Sequence, residues 1–167
     1  GLASLDERTL AQERIVTPTA GPVTLDRLPR LPSLRAVRQF SSRNKKGLNG
    51  DGKSHLYDDA HGDAVIFDAA GPGCVRSIWG THFAEAAMLK FYFDGESEPR
   101  YRIREIDFFE GKHPDFPPPL VSYERRGHYD LGMAGNCFVP IPFAKSLKIT
   151  IENESRFFHV IYELYPS

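Results

Sequence analysis

The sequence predicts a mainly β protein, an antiparallel β-sandwich or jelly roll with a short N-terminal helix and long loops. Three observations carry this. From Arg35 onward apolar and polar residues alternate over short runs, the period of a half-buried strand. Glycine, proline or Asp-Gly pairs separate those runs, as in a chain that repeatedly turns back on itself. Almost no helical periodicity lies between them, which argues against crossover helices and so against a parallel sheet.

In order along the chain, residues 1–15 set Leu5, Leu10 and Ile15 among Asp, Glu, Arg and Gln, with Ser4 and Glu7 placed as a capping box. Pro18, Pro22, Pro29 and Pro32 then exclude a long helix and predict an extended arm with one turn at Leu25 to Leu28. Residues 1–34 are therefore read as helix and Pro-rich arm, and 35–167 as one jelly-roll domain. Strands are predicted at Val65 to Phe67 and at Cys74 to Trp79, with Val75, Ser77 and Trp79 on one face and Cys74, Arg76 and Ile78 on the other. Leu89, Phe91 and Phe93 alternate with Lys90 and Tyr92 before Asp94-Gly95, a strong hairpin signal. Tyr101, Ile103 and Glu105 alternate with Arg102, Arg104 and Ile106; Leu147, Ile149 and Ile151 alternate with Lys148 and Thr150; Phe157 to Tyr162 is the last strand. Ala84 to Met88 allows one helical turn at most. Ser41 to Ala60, Phe108 to Arg126 and Gly127 to Asn136 read as long irregular segments, the kind of loop that carries binding residues on a rigid sandwich.

Composition narrows the function classes. In 167 residues, 21 Lys+Arg against 22 Asp+Glu leave a formal charge of −1, so binding nucleic acid through its phosphates is not expected. Cys74 and Cys137 are the only cysteines, too few for a disulfide framework or a cysteine-rich zinc site. No apolar run reaches the ~20 residues of a membrane span, and the first residues lack the basic start and apolar core of a signal peptide. The chain begins with Gly, as a trimmed or processed chain would, and its compartment is left open.

No common catalytic motif occurs. Gly47-Leu48-Asn49-Gly50-Asp51-Gly52 is rich in glycine but lacks the Lys-Ser/Thr ending of a phosphate loop. His55, His61, His82, His113, His128 and His159 form no His-x-His pair, so neither a metal site nor a cofactor is expected, and hydrogen-bonded surface histidines are the plainer reading. Carbohydrate chemistry fits better: it needs aromatic surface and carboxylates. Trp79, the only tryptophan, ends a strand, and Asp51, Asp58, Asp59, Asp94, Glu96, Asp107 and Glu110 stand at loops or strand ends. Most such acids are expected to be solvated turn residues.

Several segments, taken together, resemble one family. QFSSRNKKGLNGDG from Gln39 to Gly52 resembles an opening motif of Ser-Ser, Asp-Arg-Thr-Gly-Gly-Asn and an acidic residue. Gly71-Pro72-Gly73 with Arg76 and Ile78-Trp79, the segment Leu89 to Glu96, Ile106-Asp107-Phe108-Phe109, and Asn136 to Phe143 followed by Ile149 to Glu154 match further blocks in the same order. The family is glycoside hydrolase family 172. The resemblance, over Arg35 to Tyr165, implies a double jelly roll in each protomer, assembly as homo-oligomers (trimers or hexamers) with the active site near a protomer interface, and retaining hydrolysis of α-D-fructofuranosides or D-arabinofuranosides. It implies a carbohydrate partner, no cofactor, and substrate-binding roles for Asn49, Asp51 and Trp79. Two departures stand out. Arg43-Asn44-Lys45-Lys46-Gly47 replaces the family's Asp-Arg-Thr-Gly, inverting a charge. Family members are also much longer, with both catalytic glutamates in the second jelly roll. No residue here matches either one, so no catalytic residue is assigned, and the chain on its own is expected to be inactive. The alternative is a single jelly roll that binds carbohydrate or builds an assembly without catalysis. On the first reading the chain, as one half of a double jelly roll, is expected to expose an apolar patch where the other half packs and to self-associate.

Overall fold

The structure is a computed structural model and describes residues 36–84, 86–125, 133–152 and 157–166. The expected N-terminal helix and Pro-rich arm lie outside the described residues. The sandwich belongs to a compact unit running from Leu34 to Ser167.

Two antiparallel sheets make the sandwich. Sheet A has six strands in the order β1 (Ala36–Ser41), β11 (Phe157–Leu164), β4 (Gly73–Thr81), β8 (Met133–Cys137) and β7 (Val121–Arg125), with β9 (Ile141–Phe143) also paired to β4. Sheet B has five: β2 (Tyr57–Asp58), β3 (Ala64–Ala70), β10 (Ser146–Ile151), β5 (Met88–Phe93) and β6 (Tyr101–Arg104). The chain passes between the sheets, so the first and last strands become neighbours, with Ala36 opposite Leu164 and Ser41 opposite His159. This is the predicted sandwich with jelly-roll-like connections.

Where alternation is clean, the predicted faces are the observed ones. Leu89, Phe91 and Phe93 of β5 and Leu147, Ile149 and Ile151 of β10 enter the core, while Lys90 and Lys148 point out. The Asp94-Gly95 turn forms as expected: both residues have positive φ (53° and 88°) and the Glu96 N–H closes on the Phe93 carbonyl at 2.8 Å, the mirror-image turn that suits the strand twist. Across the sandwich Phe67 of β3 meets Tyr162 of β11 edge to face, ring centroids 5.0 Å apart.

Three expectations are corrected. In β4, Ser77 pairs with Ile161 but Val75 with Tyr162, so Arg76 is an extra residue. That bulge turns Val75 and Ile78 both inward, at 0% and 2% exposure, instead of onto opposite faces. The alternation at Tyr101 stops at Arg104, and Glu105–Phe109 winds into a short helix, α1, which drives Phe108 and Phe109 into the core. Phe108 packs on Phe91 (5.7 Å) and on Phe116 of the following Pro-rich loop (4.8 Å); tertiary burial outweighs local alternation here. The segments expected to be irregular contain β7 and β8. Outside the predicted strands, Ile141-Pro142-Phe143 forms β9 in spite of its proline, because β9 pairs on one side only and Pro142 needs no ladder donor there.

Gly80 and Gly135 face each other across β4 and β8. A Cβ on Gly135 would stand 2.3 Å from the Phe109 ring, and one on Gly80 would stand 3.0 Å from Phe83. The two glycines make room for the stacked Phe83–Phe109 pair (4.9 Å, 10°), which seats α1 against sheet A.

Candidate functional site

Because the β4 bulge turns Ile78 inward, Trp79 faces outward, half-buried on the outer surface of sheet A. Its direct neighbour on β11 is His159, and the two rings lie 4.9 Å apart, tilted by 42°. Beyond His159 stands Ser41 of β1; on the other side of Trp79 stand Asn136 of β8 and then Ser122 of β7. Five strands thus align one row of uncharged or aromatic side chains, Ser41–His159–Trp79–Asn136–Ser122, across the sheet. Adjacent cross-strand side chains approach closely enough to act as one surface.

The Ser42 to Leu56 loop walls one end of this row and makes a recess of about 270 Å³, lined by Gln39, Ser41, Arg43, Asp51, Trp79, Phe157 and His159 among others. Its frame is fixed by backbone bonds. Ser42 is buried, exchanging a backbone bond with Phe158 and accepting the Phe158 N–H on its hydroxyl at 3.1 Å. Asp51 opens a 3-10 turn, Asp51–Lys53, and accepts the Asn44 backbone N–H at 2.7 Å. Gly52 brings that turn against the Phe157 ring, where an added Cβ would sit 3.4 Å from the ring carbon. His82 also packs edge-on against Phe157, ring centroids 5.3 Å apart. The recess thus offers an aromatic floor with hydroxyl, amide and carboxylate groups at its rim, an apolar surface beside hydrogen-bonding groups.

Of the residues singled out in the sequence, Asp51 and Trp79 line this recess; Asn49 is exposed in the same loop and is not in the lining. Ser41, Gln39, Phe157 and His159 escaped sequence reasoning. The available signal was the Gln39-Phe40-Ser41-Ser42 segment, but only the pairing of β1 with β11 brings it to His159.

The other acids named from sequence are engaged in the framework. Asp94 Oδ1 accepts the backbone N–H groups of Ala144, Lys145 and Ser146 at 3.0, 2.6 and 3.1 Å, stapling the β9–β10 turn; those bonds hold its carboxyl below the usual range. Glu96 pairs with Arg100. Hydrogen bonds from Arg104 and Lys112 lower Asp107 to about 2. Asp59 pairs with Lys148, and Asp58 with His55 at 2.7 Å. Asp51 is the one carboxylate in the described lining of the recess, whereas retaining glycoside hydrolysis needs two about 5–5.5 Å apart. Among the described residues no group of three or more His, Cys, Asp or Glu side chains is placed to hold a metal ion, and no helix is long and apolar enough to cross a membrane.

The fold and recess define the class: an antiparallel β-sandwich carrying a polar, aromatic-floored recess on one outer face. A family model described as the GH172 first β-sandwich domain matches residues 34–167, and the chain belongs to that family, glycoside hydrolase family 172. No curated protein matches the chain.

Proposed function

We propose that this domain recognises carbohydrate without itself catalysing its hydrolysis, serving as the first sandwich of a furanoside-active, retaining glycoside hydrolase. The observation that carries the reading is the Trp79–His159 aromatic pair set in the recess beside Ser41, Gln39 and Asp51. A furanose ring lies with its C–H face on the aromatic pair, and its hydroxyls meet the rim. The description of the matching family domain as a first β-sandwich fits a protomer in which the carboxylate pair comes from elsewhere, and Asn49, Asp51 and Trp79 are the substrate-contacting residues carried over from the family resemblance. Titration of the chain with fructose- and arabinose-containing furanosides tests this. Saturable binding lost in Trp79→Ala, with no release of fructose or arabinose by the chain alone, supports it; release of either sugar overturns the non-catalytic part, and no binding overturns the rest.

A second reading, an assembly role, is favoured by a separate observation. Leu120 and Phe138 are joined by a backbone bond (Phe138 N–H to the Leu120 carbonyl, 2.7 Å) and are 46% and 54% exposed. Two large apolar side chains side by side at the surface suit a protein contact, and homo-oligomers of this chain, trimers or hexamers, are the expected product. Light scattering that shows only monomer at high concentration removes this reading.

A further inference from the structure

The cations of this domain are for the most part neutralised in place. Arg76 pairs with Glu163, Lys90 with Asp63 and Glu152, Arg104 and Lys112 with Asp107, and Lys148 with Asp59. At the recess that pattern breaks. Arg43 lines it, and Lys45 and Lys46 occupy the adjoining turn; all three are exposed, and none has a carboxylate partner among the described residues. Arg38 and Lys145 share that lack, but as single charges on β1 and in the β9–β10 turn.

The lysine turn is tied to the recess by hydrogen bonds. Asn44 donates its backbone N–H to Asp51, takes the Lys46 N–H on its side-chain oxygen at 2.9 Å, and takes the Gly47 N–H on its carbonyl at 3.0 Å. Asp51, which lines the recess, therefore anchors the segment that carries the cations. Asp51 brings one negative charge against these three positive side chains, so the group is left net positive. A neutral sugar on the aromatic pair would leave them facing water. A sugar carrying a carboxylate, phosphate or sulfate would meet a guanidinium fork and two ammonium groups, the donors that such anions select.

We propose that the recess takes a sugar bearing an anionic substituent, its ring on Trp79 and His159 and its anion against Arg43 and the Lys45–Lys46 turn. The proposal rests on the carbohydrate reading above and names the ligand class of the same site. The charges are exposed, so the selectivity is moderate and sensitive to salt.

The test is a titration of the isotope-labelled 167-residue chain, followed through the Trp79 indole resonance. The probes are two matched pairs of furanosides, methyl galactofuranoside with methyl galactofuranosiduronate and methyl fructofuranoside with its 6-phosphate, together with inorganic phosphate and a short oligothymidylate. The expected result is binding of the acidic member of a pair about 10-fold tighter at low salt, with the advantage shrinking at high salt. The pair that responds separates a carboxylate from a phosphate ester. In Lys45→Gln/Lys46→Gln the advantage falls toward parity, with a spectrum that reports an intact fold. Equal affinity within both pairs overturns this inference and leaves carbohydrate binding standing. No response to any sugar overturns both. A response to phosphate alone as strong as to the fructofuranoside 6-phosphate, or tighter binding of the oligonucleotide, also overturns it, since neither needs a sugar on the aromatic pair.

Discussion

The two outer faces of this sandwich treat polarity in opposite ways. On sheet B, charges are locked to one another. Lys90 sits between Asp63 (2.7 Å) and Glu152 (2.8 Å), Glu152 also holds Arg102, Thr150 donates to Asp63, and Lys148 reaches Asp59 while lying over the Tyr92 ring. Tyr57 donates to Asp68, which pushes its hydroxyl up to about 12. On sheet A Arg76 pairs with Glu163, but the central row is Ser41, His159, Trp79, Asn136 and Ser122, with no ion pair along it. A face whose donors and acceptors are already matched offers little to a ligand; a face with an aromatic pair and unfilled hydrogen-bonding capacity offers both shape and polarity. The contrast teaches that charge content alone is a poor guide to a site: the busier face is structural, and the quieter one is the candidate for binding.

The largest expected effect tests the rule that underlies the contrast, that burial of charge must be matched. Glu105 lies between the faces, 6% exposed, its backbone N–H bonded to the Ala87 carbonyl and its carboxyl beside Gly80. Burial alone raises it from 4.5 to about 8. A carboxyl that is protonated more readily in the folded state contributes stability that is complete below pH 4.5 and lost as pH rises through about 8. Denaturant unfolding across that window is expected to show a loss on the order of 4 kcal/mol, and Glu105→Gln is expected to flatten the profile. An unchanged profile would mean that Glu105 is matched after all.

Next in size is the sheet B lattice. Lys90→Met leaves Asp63 and Glu152, 8% and 23% exposed at the side chain, without their shared cation. Unfolding measurements should register a loss of about 2–3 kcal/mol. If the loss is negligible, the lattice is ornamental and the distinction between the faces fails on that side. On sheet A, Trp79→Ala is expected to weaken sugar binding about 10-fold or more, ~1.4 kcal/mol, and to change the melting temperature less than Lys90→Met does. The reverse ranking would make Trp79 a packing residue. The smallest effect belongs to Asp107, whose carboxyl is held at about 2 by partly exposed partners. Its contribution is present above pH 3.8 and lost as pH falls through about 2. Because solvent screens the pair, Asp107→Asn should cost under about 1 kcal/mol at neutral pH in thermal melts.

Legibility varied by element. The faces of β5 and β10 and the Asp94-Gly95 turn could be read because each depends on neighbours within a few residues. The strand assignment at Tyr101 ran too far because Glu105 and Ile106 continue the alternation, while the burial of Phe108 and Phe109 that favours α1 depends on Phe91, Gly80 and Gly135. Trp79 could be named as a platform or as a core residue; the extra residue at Arg76 is what turns it outward, and a bulge has no period of its own. Asp51 stood out as an acid in a glycine-rich loop. His159 stood out only as one histidine of six.

Composition, alternation and turn chemistry thus determined by themselves that this chain is an antiparallel sandwich, and the ordered segments from Arg35 to Tyr165 carried its membership of glycoside hydrolase family 172. Both rest on local patterns, which a linear sequence states directly. Tertiary structure alone decided the site. Ser41 and His159 lie at opposite ends of the domain, and they became neighbours only when β1 paired with β11. The recess also needed the β4 bulge to present Trp79 and the Asn44–Asp51 bond to hold the cationic turn beside it. Those are contacts between distant residues, and no periodicity encodes them.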